Sequence, residues 1–165
     1  MHTEGRQLLV GQRDGRLYVS VCGAATHQTC PTAAKLVRGF LAAHPGGEVI
    51  VDLRDADWVD STFAGWLIGS RKALRREGGT LKLTGAGPNC KASLDNMQLC
   101  QLLDFADVDP PAHLHSVRCG APGGSDRANT RLMLEAHEQL AAVSDDNRRI
   151  FGPIAALLRD QLGSA

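Results

Sequence analysis

The chain has 165 residues, 43% of them hydrophobic and 22% charged, with 18 basic and 18 acidic side chains and a formal net charge of zero. That length suits one domain with its own core and room for an appendage. The charge balance argues against the basic stripe of a nucleic-acid binder, and 4% aromatic residues are too few for a base-stacking platform. Five cysteines (Cys22, Cys30, Cys90, Cys100 and Cys119) form no C-x-x-C pair, the pattern expected of reduced thiols inside a cell. The first residues lack the apolar core of a signal peptide, and no apolar run approaches the ~20 residues of a membrane span. A cytoplasmic protein with no membrane insertion is expected.

In chain order, Gln7 to Gln12 and Arg16 to Cys22 read as two strands around the turn dipeptide Asp14-Gly15. Leu17, Val19 and Val21 alternate with Tyr18, Ser20 and Cys22, the period of a strand. Pro31 suits the first turn of a helix, and Leu36, Val37, Phe40 and Leu41 recur at helical spacing until Pro45-Gly46-Gly47. Val49 to Leu53 is apolar and β-branched, as in a central strand covered on both faces. Residues 55–60 read as a loop. Ser61 to Glu77 reads as a helix with Phe63, Trp66, Leu67 and Leu74 inward, closed by Gly78-Gly79. Thr80 to Thr84 is a short strand, Gly85 to Pro88 a turn, Asn89 to about Leu99 a short helix, and Leu102 to Phe105 a last short strand.

Helices alternating with strands predict right-handed crossovers and a largely parallel sheet. From Ala106 to Asp126 the composition turns to Pro, Gly, His and Asp, as in a linker. Two helices are predicted beyond it. Residues 128–143 carry Leu132, Met133 and Leu140 inward. Residues 145–162 are capped by Ser144, with a stripe of Ile150, Ile154, Leu157 and Leu158 and a kink or break at Pro153. The expected division is a domain over 1–110, a linker over 111–127 and a two-helix extension over 128–165. The extension must bury its stripes, against the domain or in a homodimer or partner contact.

The most informative residues are Asp60-Ser61-Thr62, at the passage from strand to helix. A hydroxyl there is either an N-cap or a place where a phosphate is attached and read, since a helix N-terminus favours negative charge. Other motifs carry less. His113-x-His115 lacks a third metal ligand nearby, so no metal is expected. Gly85-Ala86-Gly87 lacks the remaining glycine and lysine of a phosphate-binding loop. No G-x-S-x-G elbow is present, and Asp60-Ser61 has no obvious histidine partner for a hydrolase, so no catalytic residue and no cofactor are expected. The basic run Arg71 to Arg76 reads as a solvated helix end.

Taken together, Val49-Ile50-Val51-Asp52-Leu53, Asp60-Ser61-Thr62, Gly65, Gly78-Gly79 and Thr80-Leu81-Lys82-Leu83 resemble the STAS family, with Ala92 to Leu99 similar to its later helix. The family comprises bacterial anti-sigma factor antagonists and related domains. The resemblance spans about Arg6 to Phe105 and implies an α/β fold: a mixed, mostly parallel sheet with helices mainly on one face, here with a C-terminal helical extension. It implies a non-enzymatic regulator that switches between partners, binding an anti-sigma factor or serine kinase, with a PP2C-type phosphatase reversing the mark. Ser61 takes the place of the phosphoacceptor and Thr62 is its neighbouring alternative. Asp57, Asp60 and Phe63 would lie at the partner contact. The alternative is a constitutive accessory subunit of a transporter or assembly, in which Ser61 only caps the helix. Two departures stand out: Phe63 and Gln98 occupy positions where the family favours glycine.

Overall fold

The computed structural model describes residues 7–119 and 126–163. Strands β1 (Gln7–Arg13) and β2 (Arg16–Ala25) form an antiparallel hairpin. Asp14 and Gly15 both take positive φ at its tip, as a two-residue primed turn requires. There follow α1 (Cys30–Ala43), β3 (Glu48–Asp52), β4 (Ala56–Val59), α2 (Ser61–Arg76), β5 (Thr80–Thr84), α3 (Pro88–Asn96), β6 (Asp104–Ala106), β7 (His115–Arg118), α4 (Asp126–Ala141) and α5 (Asp145–Gly163). The seven strands lie in the order β6-β5-β3-β2-β1-β7, with β4 paired to the end of β2. Strands β2, β3, β5 and β6 are parallel, and β1 and β7 add an antiparallel edge. The expected mixed, mostly parallel sheet is therefore present.

Leu17, Val19, Val51, Leu81 and Leu83 point from the strands into one core shared with Phe40 of α1, Leu67 of α2 and Leu94 of α3. On the other face of the sheet Tyr18 and Ile50 are fully buried. Residues 107–114 cross that face from β6 at one edge to β7 at the other. The Thr84 hydroxyl donates to the Val108 carbonyl and accepts from the Val108 N–H, at 2.9 and 3.0 Å. Arg54 pairs with Asp109 at 3.4 Å, and Leu114 lies against Gly11 so closely that a Cβ at Gly11 would strike it. A segment that reads as linker is thus a strap ending in a strand. Likewise β4 occupies most of the expected 55–60 loop.

The C-terminal helices fold back on the domain. Leu140 and Phe151 join the main core, and Leu134, Ala155 and Leu158 pack α4 to α5. Ser144 caps α5 as expected, accepting from the Asn147 N–H at 3.1 Å. Three details differ. Helix α5 runs unbroken through Pro153, at the cost of one intrahelical bond on an exposed face. Its buried stripe is Phe151, Ala155 and Leu158, so Ile150, Ile154 and Leu157 face outward. In α4, Leu132 and Met133 are only half-buried, and Leu134, Ala136 and His137 take the inner positions.

The departure at Gln98 has a backbone consequence. Gln98 and Leu99 donate back to the carbonyls of Asp95 and Leu94, closing α3 with the paired bonds of a Schellman motif. Gln98 sits there at φ +60, a conformation glycine adopts without the Cβ penalty.

Glu48 links three strands. It accepts from Thr80 Oγ1 at 2.8 Å, pairs with Lys82 at 3.1 Å and with Arg16 of β2. Burial alone would push its carboxyl up; the hydrogen bonds from Thr80 and Lys82 and the charges of Lys82 and Arg16 outweigh burial and hold it below the usual glutamate range. A carboxyl with a depressed folded-state pKa stabilises above its unfolded pKa of ~4.3, and that contribution is lost as pH falls through the folded value. Glu48→Gln is therefore expected to lower the urea midpoint at pH 7, with the deficit shrinking as pH falls below about 4. A deficit independent of pH would contradict the ionic account.

Candidate functional site

The start of α2 is built by Asp60. Its Oδ1 accepts the Phe63 N–H at 2.8 Å and its Oδ2 accepts the His27 N–H at 2.8 Å. The His27 ring lies 3.3 Å from the same Oδ2. One carboxylate thereby caps the helix, contributing about 1 kcal/mol, and ties the helix to the loop after β2. The Asp60 backbone N–H extends this tie by donating to the Ala25 carbonyl at 2.9 Å. The reading of Ser61 as the N-cap is corrected: Asp60 is the cap and Ser61 is the first helical residue. A phosphate on Ser61 would also not find an empty helix N-terminus, because a carboxylate already occupies the Phe63 N–H.

The Ser61 hydroxyl has a different partner. Its Oγ lies 3.0 Å from Nε2 of His137, which comes from α4, 76 residues later. Nδ1 of His137 is 2.7 Å from the Met133 carbonyl. A carbonyl only accepts, so Nδ1 carries the proton. In the neutral ring Nε2 is then the acceptor, and Ser61 Oγ–H donates to it. The imidazole is 3% exposed and sits 6.0 Å, centroid to centroid, from the Phe151 ring. This is the donor–acceptor order of a serine and its general base. The imidazole is, however, sealed between helices, where no substrate reaches it.

Below this contact α4 lies directly on α2. A Cβ at Gly65 would overlap the backbone carbonyl of Ala136, so glycine is required for the helices to come this close. Lys72 Nζ donates to Gln139 Oε1 at 2.8 Å. Asn147, at the start of α5, is buried and donates through Nδ2 to the Met97 carbonyl at 2.9 Å. The C-terminal hairpin is thus anchored at both ends, on α2 and behind α3.

The remaining expected residues separate cleanly. Asp57 is exposed on β4 and open to a partner. Phe63 is not: it is fully buried, edge-on to Trp66 with ring centroids 5.2 Å apart. It is therefore core and cannot touch a partner. Thr62 is 2% exposed and cannot serve as an accessible alternative acceptor. Trp58, which the sequence reading leaves unassigned, is 47% exposed beside Asp57; the strand alternation that turns Val59 inward turns Trp58 out. His137 was legible only as a polar residue on the buried stripe of α4, a position that demands a hydrogen-bond partner without naming one.

Elsewhere, Arg71 and Arg75 pair with Asp104 at 3.1 and 3.4 Å, so the basic run is partly neutralised. His113 and His115 are exposed, and no cluster of three potential metal ligands occurs among the described residues. No helix among the described residues is long and apolar enough to cross a membrane. The five cysteines are free thiols. Burial, with a smaller push from the Asp60 charge, raises the Cys30 thiol well above its ordinary range and keeps it protonated.

Comparisons with known proteins follow the same outline. A family model described as the STAS domain matches residues 7–111. An anti-sigma factor antagonist from Mycobacterium paratuberculosis superimposes with a TM-score of 0.55 at 20% identity, covering 66% of this chain and 92% of that chain. The protein TM1081 from Thermotoga maritima gives 0.54 at 17% identity, over 60% of this chain and 79% of that chain. No curated protein matches the chain in sequence. At these identities the structural likeness establishes the fold.

Proposed function

The chain belongs to the STAS domain family, and from that premise we propose that it is a non-enzymatic regulatory module that binds an anti-sigma factor or serine kinase and is switched by a phosphate on Ser61. The observation that carries the reading is the division of labour at the start of α2. Asp60 does the capping, so capping does not account for the hydroxyl at position 61. That hydroxyl also stands where the family's motif has its phosphoacceptor. Asp57 and Trp58 beside it are exposed, and tryptophan is enriched among residues that dominate protein interfaces. A phosphate adds about −1.5 to −2 charges, next to the Asp60 carboxylate. Across an interface that charge must be desolvated without a compensating partner, so binding to the kinase ends once its product forms. A PP2C-type phosphatase would restore the binding form.

The test is incubation with an anti-sigma serine kinase from the same genome, followed by intact-mass and fragment-ion mapping. One phosphate on Ser61, absent in Ser61→Ala, is expected. No phosphate, or one only on another residue, would remove the mechanism. Co-purification with a transporter or large assembly, indifferent to Ser61→Asp, would point to an accessory subunit instead.

A further inference from the structure

We propose that the α4–α5 hairpin is a built-in cover for the Ser61 face, and that its docking excludes both a phosphate on Ser61 and a partner protein that reaches it. The inference rests on the reading of Ser61 as the modified residue. Its geometric core does not: the Ser61 Oγ–His137 Nε2 contact of 3.0 Å has room for a proton and nothing else. In the present rotamer a phosphoryl group puts three further oxygens where the imidazole now lies, and in any rotamer it removes the Oγ–H that His137 accepts. His137 cannot swing aside within the docked helix, because its ring is 3% exposed and its Nδ1 is committed to the Met133 carbonyl at 2.7 Å. The helix cannot slide sideways either, because the Ala136 backbone rests on Gly65 with no space for a methyl group. Modification at Ser61 and docking of α4 therefore compete.

The cover also occupies the stripe a partner would need. Ser61 and Gly65 are one turn apart on α2, and both are spent on α4. Ser61 itself is half-buried, and a kinase that takes its hydroxyl must first break the bond to His137 and so compete with α4. The phosphate it leaves then holds α4 off, so the mark outlasts the encounter as an open hairpin. In that state Trp66, now 8% exposed, and the inner face of α4 become accessible to other proteins.

Hydrogen exchange read by mass spectrometry on the full chain tests this. Ser61→Glu is expected to speed exchange across α4 at least tenfold while the amides of β2 and β3 stay as protected as in the parent. His137→Ala, which removes the latch without adding charge, is expected to speed α4 exchange by a smaller factor, and to raise the initial rate of Ser61 phosphorylation several-fold. Unchanged α4 protection in Ser61→Glu would overturn the proposal. So would loss of protection in β2 and β3 together with α4, since the hairpin would then be part of the cooperative core. The exchange measurement uses no kinase. It can therefore succeed where Ser61 is never phosphorylated and fail where it is, so the two ideas fail separately.

Discussion

Ser61→Asp is expected to weaken the complex with the partner kinase or anti-sigma factor by a hundredfold or more in titration calorimetry, while Ser61→Ala keeps parental affinity or gains some. About 3 kcal/mol suffices for the loss, and one interfacial charge stripped of water without a counterion costs several. The carboxylate would join Asp60, whose own oxygens are already committed to the Phe63 and His27 N–H groups. Ser61→Ala brings no charge and removes the hydrogen bond to His137, which loosens the cover. The fold should survive both changes, because the cap belongs to Asp60 and an acidic side chain in the first turn stabilises a helix by about 0.3–1 kcal/mol. Equal affinity of Ser61→Asp and the parent would sink the switch. Equal loss in both variants would mean that the partner reads the hydroxyl itself.

The parts of the fold that the sequence displays are those whose burial is decided locally. Glu48–Asp52 is a strand because β-branched residues fill it, and α2 shows Phe63, Trp66, Leu67 and Leu74 at helical spacing with Gly78-Gly79 behind them. Strands β4 and β7 are four residues each, too short for a periodic signal, and exist because distant strands offer them a ladder. Helix α5 misleads for another reason. Ile150, Ile154 and Leu157 form one apolar stripe, and Phe151, Ala155 and Leu158 form another beside it. Periodicity accepts either, and only packing against α4 and the main core selects the second. The candidate site divides the same way. Asp60-Ser61 at a strand-to-helix passage is visible in the sequence; which of the two caps, and that Ser61 is latched by His137, depends on a contact across 76 residues.

Gly65→Ala and Gly69→Ala should change stability in opposite directions, although both replace a glycine in the same helix. In a helix with nothing against it, alanine gains up to about 1 kcal/mol over glycine. At Gly69 the nearest neighbour of an added Cβ is the flexible Gln139 side chain at 3.4 Å, an ordinary contact, so the gain should be realised. At Gly65 the neighbour is the Ala136 backbone, which can move only with all of α4. Overpacking of this kind costs about 1–3 kcal/mol, enough to reverse the sign. Gly65→Leu should go further and expel the hairpin. The loss is then set by what α4–α5 buries on the domain, above all Leu140 and Phe151, at about 1.5–3 kcal/mol each. Urea unfolding should show either a drop of about 3 kcal/mol or more, or an early separate transition for the hairpin. Gly65→Ala stabilising as much as Gly69→Ala would mean that α4 does not rest on α2 in solution. The cover over Ser61 would then have no physical basis, whatever phosphorylation at that residue is found to do.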